Sequence, residues 1–270
     1  MIIFDKEKCI GCGKCINDCV SYCIQINDGK AQLKEASASC IHCGHCVAVC
    51  PSNAVSIKED GYDMSECEPA LQNAPALNTE AILHALKFRR SIRQYKKESI
   101  SKEILDELVE AARYTATGAN SQRFRFVIVQ DKLPEFKEIT WKIFDVQIQQ
   151  LPENAPENKY GIVQRAKLPK ENPLQDTLFW GAPCLIIVAA DHGGAWDAGL
   201  ASQSIELTAL SNNLGVLYSG YLVNLINQND SLKEWLGIPD CLAKTCMLLG
   251  YPNVEYYRSA PRKPANVIWK

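Results

Sequence analysis

Cysteine is set twice in the same frame within the first 50 residues. Cys9, Cys12, Cys15 and Cys19 are followed by Cys40, Cys43, Cys46 and Cys50, each run spaced C-x2-C-x2-C-x3-C. The copies are 31 residues apart (40 − 9), and the register holds beyond the cysteines: Ile10 matches Ile41, Gly13 matches Gly44, Ser21 matches Ser52 and Ile26 matches Ile57. One short unit present twice predicts a pseudo-two-fold module with two equivalent sites. Eight thiols spaced so regularly read as ligands, not as core filling. Two tetrahedral zinc sites, with His42 and His45 as further ligands, would use similar residues. Three closely spaced cysteines plus a fourth, repeated, suit a pair of iron–sulfur clusters better.

Cysteine usage also bounds the surroundings. Ten of the 13 cysteines lie before residue 68. Met1-Ile2-Ile3-Phe4-Asp5 carries no basic segment, so no export signal is expected, and the longest apolar run, about Ala182 to Ala190, is too short to span a bilayer. The expectation is a cytoplasmic chain without membrane association, its thiols serving metal or redox chemistry and not disulfides. Lys and Arg (29) nearly balance Asp and Glu (31), which argues against nucleic-acid binding by bulk charge.

Over about residues 1–60 the chain resembles two-cluster bacterial ferredoxins. The resemblance implies two 4Fe–4S clusters with crossed ligation, the fourth cysteine of each run completing the other cluster. Cys9, Cys12, Cys15 and Cys50 would hold one; Cys40, Cys43, Cys46 and Cys19 the other. Val20 stands where the run usually has Pro, whereas Pro51 keeps it. Gly11, Gly13 and Gly44 would bring backbone close to the clusters, and Ile10, Ile16, Val20, Ile41, Val47 and Val49 would exclude water. Cys23, matched by Ala54 in the repeat, reads as a buried non-ligand, and Cys67, Cys184, Cys241 and Cys246 as core or incidental thiols. His42 and His45 are expected as polar groups near the second cluster.

Residues 61–78, polar and punctuated by Pro69 and Pro75, read as a linker between residues 1–60 and a second domain over 79–270. There Thr79 is a candidate cap for a helix carrying Ile82, Leu83 and Leu86. Ser101 is one for a helix with Ile104, Leu105, Leu108, Val109 and Ala112 on one face, stopping near Gly118. Phe124–Val129 and Cys184–Ala189 read as strands, the second buried on both faces, with further short strands at Val216–Ser219 and Cys246–Leu249. Asp197 could cap a helix through Leu210 that Gly215 ends. Pro152–Pro173 reads as a mobile excursion. The pattern is α+β: a small two-cluster domain, then a domain with a central sheet flanked by helices. No G-x-G-x-x-G follows a strand, so a dinucleotide-binding unit is not indicated.

Arg89-Arg90-Ser91-Ile92-Arg93 packs three guanidiniums and a hydroxyl into five residues, an array suited to a phosphate monoester. The plain alternative is that arginines at a helix end face its negative terminus and water. Two more features join it: Thr117-Gly118-Ala119-Asn120-Ser121-Gln122 between a helix and a strand, and Arg262-Lys263-Pro264 near the end. With Gly181-Ala182-Pro183, Ser219-Gly220-Tyr221 and Leu249-Gly250-Tyr251-Pro252, these resemble, in order, the elements of the FMN-dependent nitroreductase family over about residues 79–270. Arg123 departs from the family's usual Pro after the glutamine. The resemblance implies that Arg89, Arg90, Ser91 and Arg262 hold the FMN phosphate, and that Arg93 lies near the pyrimidine edge. Asn120 and Gln122 would contact the ribityl chain or ring, and Ser219-Gly220 would pass beside the reactive flavin nitrogen. It implies a homodimer with FMN between subunits and tails exchanged after Pro252. Asp197 and Glu206 are expected as a cap and a surface or core-edge carboxylate.

A cluster moves one electron and a flavin one or two. The fusion therefore implies an oxidoreductase fed through the first module, by a donor such as a reduced ferredoxin-type protein. The acceptor would be a small molecule: a nitroaromatic, quinone or activated alkene. The alternative is an electron-transfer protein relaying to a protein partner. No acid–base residue can be named, and Tyr160, Trp141, Tyr256 and Tyr257 fit pocket or core roles equally.

Overall fold

The structure, a computed structural model, describes residues 1–34, 39–71, 77–150, 176–191 and 193–270. The chain divides into two compact units: Met1–Ala76 together with Thr117–Ser121, and Leu77–Ala116 together with Gln122–Lys270.

The first unit displays the duplication in its backbone. It holds β1 (Ile2–Phe4), α1 (Lys14–Asn17), β2 (Ile24–Asn27), β3 (Lys30–Leu33), α2 (His45–Ala48) and β4 (Val55–Ile57). β1 pairs with β4 and β2 with β3, both antiparallel. Repeat-related residues share their conformations: Gly13 and Gly44 precede the two short helices at φ 75 and 74°, and Tyr22 and Asn53 turn at 52 and 50°. The core is small and thiol-rich, with Ile2, Ile24, Ala31, Ala54, Val55 and Ile57 packed among Cys9, Cys15, Cys23 and Cys46. Tyr62 and Met64 pack on the same core, so the start of the 61–78 segment lies against the first unit. Ile10 and Val20, expected to exclude water, are two-thirds exposed: short loops leave them no facing surface among the described residues.

The second unit is a four-stranded antiparallel sheet between two layers of helices. Its strands are β5 (Arg125–Val129), β6 (Cys184–Ala190), β7 (Gly215–Tyr218) and β8 (Leu242–Gly250), in the order β5-β6-β8-β7. Alternation along β6 splits the core in two. Cys184, Ile186 and Val188 face α4 (Lys102–Arg113) and α6 (Ala195–Ser211). Leu185, Ile187 and Ala189 face α5 (Leu133–Gln149), α7 (Gly220–Asn227) and α8 (Asp230–Trp235). Every residue of β6 is buried, which explains its unbroken apolar run. Each Leu or Ile there contributes about 1.5–3 kcal/mol by leaving water.

Local signals hold in part. Ser101 caps α4, its Oγ accepting from the Ile104 amide at 3.4 Å, and Leu105, Leu108 and Ala112 are buried. That helix ends at Arg113, five residues short of Gly118. For α3 (Thr79–Phe88) the cap is Asn78, not Thr79: its Oδ1 accepts from the Ala81 amide at 3.1 Å. Gly194 holds the cap position before α6, which places Asp197 inside the first turn and not at the cap. Gly215 does not end α6 but begins β7. A Cβ there would run into Ile92 and Pro252, so close packing, not helix termination, requires glycine. Pro152–Pro173 and Tyr160 lie outside the described residues.

Candidate functional site

In the first unit, the loops before α1 and α2 turn their cysteines inward around two cavities. Cys9, Cys12, Cys15 and Cys50 line one, with Ala31, Ala54 and Val55. Cys19, Cys40, Cys43 and Cys46 line the other, with Ile24, Leu33 and Gly44. The fourth cysteine of each run thus sits with the three of the other. Among the described residues no three His, Cys, Asp or Glu side chains converge as one metal ion requires. The thiols ring a space instead.

The electrostatics of these rings suit a polynuclear cation–sulfide group. Burial, and then the charge of neighbouring thiols, pushes Cys15 and Cys40 up, and Cys46 up to about 11. Four thiolates do not crowd into such a space without positive charge among them. Backbone amides meanwhile aim at the sulfurs: Ala31 N–H donates to Cys9 Sγ at 3.3 Å and Ala54 N–H to Cys50 Sγ at 3.2 Å. At Cys50 burial pushes upward, but the Ala54, Ser52 and Asn53 amides and the Ser52 hydroxyl outweigh it and hold the thiol below its ordinary value. Cys23 is buried at the edge of the second cavity, its Sγ 3.5 Å from the Ser21 carbonyl oxygen. His45 lines that cavity, and His42 lies beside it with Nδ1 2.7 Å from Glu59 Oε2. Cys67 is exposed, whereas Cys184, Cys241 and Cys246 are core thiols.

In the second unit, the arginine segment follows α3 and runs beside β7. Ser91 bridges Val216, and Ile92 N–H donates to the Val216 carbonyl at 3.1 Å. β7 leads directly to Ser219 and Gly220, so the arginine segment runs along the strand that ends at them. Ser219 Oγ caps α7 by accepting from the Leu222 amide. Gly220 is exposed, and a Cβ there would meet nothing within 4 Å. Arg93 is exposed and lies over the Trp180 ring. Arg89 Nε donates to Glu206 Oε1 at 2.7 Å. Glu206 is 3% exposed, which corrects the surface reading: it is the buried anchor of Arg89. The signal was its position on α6, four residues after buried Ser202 on the inward face. Three guanidiniums against one carboxylate leave a positive surplus suited to an anion.

The remaining expected ligands belong to other segments of the chain. Arg262 is exposed in the terminal segment, which forms no helix or strand, and Gln122 is exposed at φ 46°. Asn120 belongs to the first unit, where its Nδ2 donates to the His42 carbonyl at 3.0 Å. Trp141 sits at the core edge against Phe144, and Tyr256 and Tyr257 are exposed.

Comparison with known proteins decides the family. The sequence profile of the nitroreductase family matches residues 86–251. The chain belongs to the nitroreductase family. In this member a 4Fe–4S dicluster domain, matched over residues 1–67, precedes the nitroreductase domain. An NADPH-dependent oxidoreductase of Staphylococcus saprophyticus is 30% identical over 168 residues, 60% of this chain and 60% of the relative. Among solved structures, a nitroreductase with bound FMN from Desulfitobacterium hafniense aligns with TM-score 0.54 at 25% identity, covering 69% of this chain and 97% of that one. One with bound FMN from Bacteroides fragilis aligns with TM-score 0.57 at 20% identity, covering 70% and 98%, a likeness of fold.

Proposed function

We propose that this nitroreductase-family chain is an FMN-dependent oxidoreductase that takes electrons in through two 4Fe–4S clusters and passes them to a small electrophile such as a nitroaromatic, a quinone or an activated alkene. The observation that carries the reading is the union, in one chain, of two four-thiol rings with an arginine-rich sheet edge in a nitroreductase fold. When bound, the clusters supply one-electron and FMN one- and two-electron chemistry.

The chain's own residues have separable tasks. Cys9, Cys12, Cys15 and Cys50 hold one cluster, and Cys40, Cys43, Cys46 and Cys19 the other, while the Ala31 and Ala54 amides favour negative charge on sulfur. Glu206 fixes Arg89 by its Nε, so that the planar fork presents its terminal nitrogens to a phosphate. Arg90, Ser91 and Arg262 add donors to that phosphate. Arg93 places positive charge at the pyrimidine edge, and Gln122 and Ser219-Gly220 bind the ribityl chain and ring with amide and backbone groups. The chain works as a homodimer. This is supported by apolar side chains left exposed on the second unit, among them Leu83 and Leu86 on α3, Trp196 and Leu200 on α6, and Ile268 and Trp269 in the tail. An electron donor of the ferredoxin type, not NADPH alone, explains the first module.

The test is an anaerobic reduction assay of the protein loaded with both cofactors, comparing reduced ferredoxin, dithionite and NADPH as donors over a panel of acceptors. Turnover with reduced ferredoxin is expected. Turnover with NADPH that is equally fast after the clusters are removed contradicts the reading. Electrons delivered only to another protein, and to no small acceptor, would favour a relay.

A further inference from the structure

The repeat makes the two ligand loops comparable residue by residue, and between the first two cysteines of each they differ at one place. Gly11, between Cys9 and Cys12, has φ 69°; its counterpart His42, between Cys40 and Cys43, has φ 49°. Both loops therefore need a left-handed residue. Glycine adopts that conformation freely, whereas histidine holds it only when the surroundings compensate. Around Gly11 there is no room for a side chain, since a Cβ would strike the Gly29 carbonyl. Around His42 there is a set of partners instead.

The His42 carbonyl oxygen accepts from Asn120 Nδ2 at 3.0 Å and from the Tyr62 hydroxyl at 3.2 Å, and Asn120 Nδ2 also lies 3.2 Å from that hydroxyl. Two donors occupy both lone pairs of the carbonyl. In a trans peptide the N–H of the next residue points opposite to the C=O. Fixing the His42 carbonyl thus fixes the plane of the peptide that carries the Cys43 N–H. Hydrogen bonds to cluster sulfurs and exclusion of water are the protein's means of setting a cluster's potential.

We propose that Asn120 is a positioning residue for the Cys40–Cys43 ligand loop, raising the reduction potential of the cluster in the second ring, and is not a flavin ligand. The assignment rests on the cluster ligation proposed above. Asn120 stands in a run with three non-glycine residues at positive φ, Ala119, Asn120 and Gln122, at 51, 53 and 46°. Ala119 and Asn120 lie within Thr117–Ser121, so the turn that carries the amide belongs to the same unit as the carbonyl it meets.

The test is a redox titration of the full cofactor-loaded chain, monitored by electron paramagnetic resonance, for wild type, Asn120→Ala and Tyr62→Phe, with iron, sulfide and FMN affinity measured alongside. Wild type should show two separately titrating clusters; fewer would defeat the ligation reading and this proposal with it, before any variant is compared. With two present, Asn120→Ala should lower the reduction equilibrium constant of one cluster roughly three- to tenfold, the scale of one lost hydrogen bond, tenfold being about 59 mV for one electron. The other cluster should be unmoved and FMN affinity should stay within about twofold. Tyr62→Phe should shift the same cluster in the same direction, and it alone decides if Asn120→Ala takes up less iron. Unchanged cluster potentials overturn the proposal, and a large loss of FMN affinity with unchanged potentials would return Asn120 to the flavin.

Discussion

The Arg89–Glu206 pair ties the proposed phosphate site to the core, and its removal has a calculable cost. Glu206 has a side chain 4% exposed and Arg89 one 23% exposed, at 2.7 Å. Glu206→Ala leaves a largely buried guanidinium uncompensated, which costs about 3–5 kcal/mol. Glu206→Gln keeps an acceptor and loses only charge assistance, about 1–1.5 kcal/mol. Urea unfolding followed by tryptophan fluorescence reads this in the second unit alone, because Trp141, Trp180, Trp196, Trp235 and Trp269 are the five tryptophans of the chain. With a denaturant slope of about 2 kcal/mol per molar, the midpoint should fall by about 1.5–2.5 M for Glu206→Ala and by about 0.5–0.75 M for Glu206→Gln. The double variant Arg89→Met, Glu206→Leu should regain most of the stability, since an apolar pair of similar volume replaces a buried ion pair at little net cost. It should not regain FMN binding if Arg89 is a phosphate ligand. A Glu206→Ala midpoint within about 0.3 M of wild type, well under the expected shift, would refute the claim that the pair is buried and coupled. Recovery of FMN affinity in the double variant would show that Arg89 acts only as structure.

Replacing Arg262 with Ala should weaken FMN by about 1.5–3 kcal/mol while leaving riboflavin, which lacks the phosphate, nearly unaffected; titration calorimetry with both ligands checks it, and equal losses would contradict a phosphate contact. Cys19→Ser should lower iron content and disturb the cluster of the Cys40–Cys46 run, whereas Cys23→Ser should leave iron and sulfide unchanged. Burial pushes the Cys184 thiol from an ordinary 9.0 up to about 12. Its folded-state value is raised, so its contribution to stability is complete below about pH 9 and shrinks as the pH climbs toward 12. Native-state alkylation of the cluster-loaded chain at pH 8 should therefore mark exposed Cys67 and spare Cys184 and Cys246, and rapid labelling of Cys184 would show its strand to be open.

What was legible in the sequence was what local chemistry or repetition determines. The cysteine frame could be read because ligand spacing is a property of the chain itself, and the structure repeats it down to paired φ values. Cys184–Ala190 was readable because a strand covered on both faces needs no polar alternation. What escaped was tertiary. Glu206 pairs with a residue 117 positions away, and nothing near it in sequence announces an arginine. Gly215 looked like a helix stop because its reason, the approach of Ile92 and Pro252, lies in other segments. Asn78 and Thr79 are adjacent potential caps, and only the turn geometry selects Asn78. The amide of Asn120 donates to a carbonyl 78 positions away, a contact that its place in the flavin-type motif does not announce.

The central claim is that the clusters feed the flavin. Anaerobic stopped-flow on the full chain loaded with both cofactors, with a reduced ferredoxin as donor, follows cluster bleaching and flavin reduction as separate signals. The account predicts that the clusters are reduced first, that flavin reduction follows, and that flavin reduction slows sharply in Cys43→Ser, which lacks one ligand of the second ring, although its FMN content is unchanged. Flavin reduction as fast in Cys43→Ser as in wild type, or ahead of the clusters in both, would contradict it.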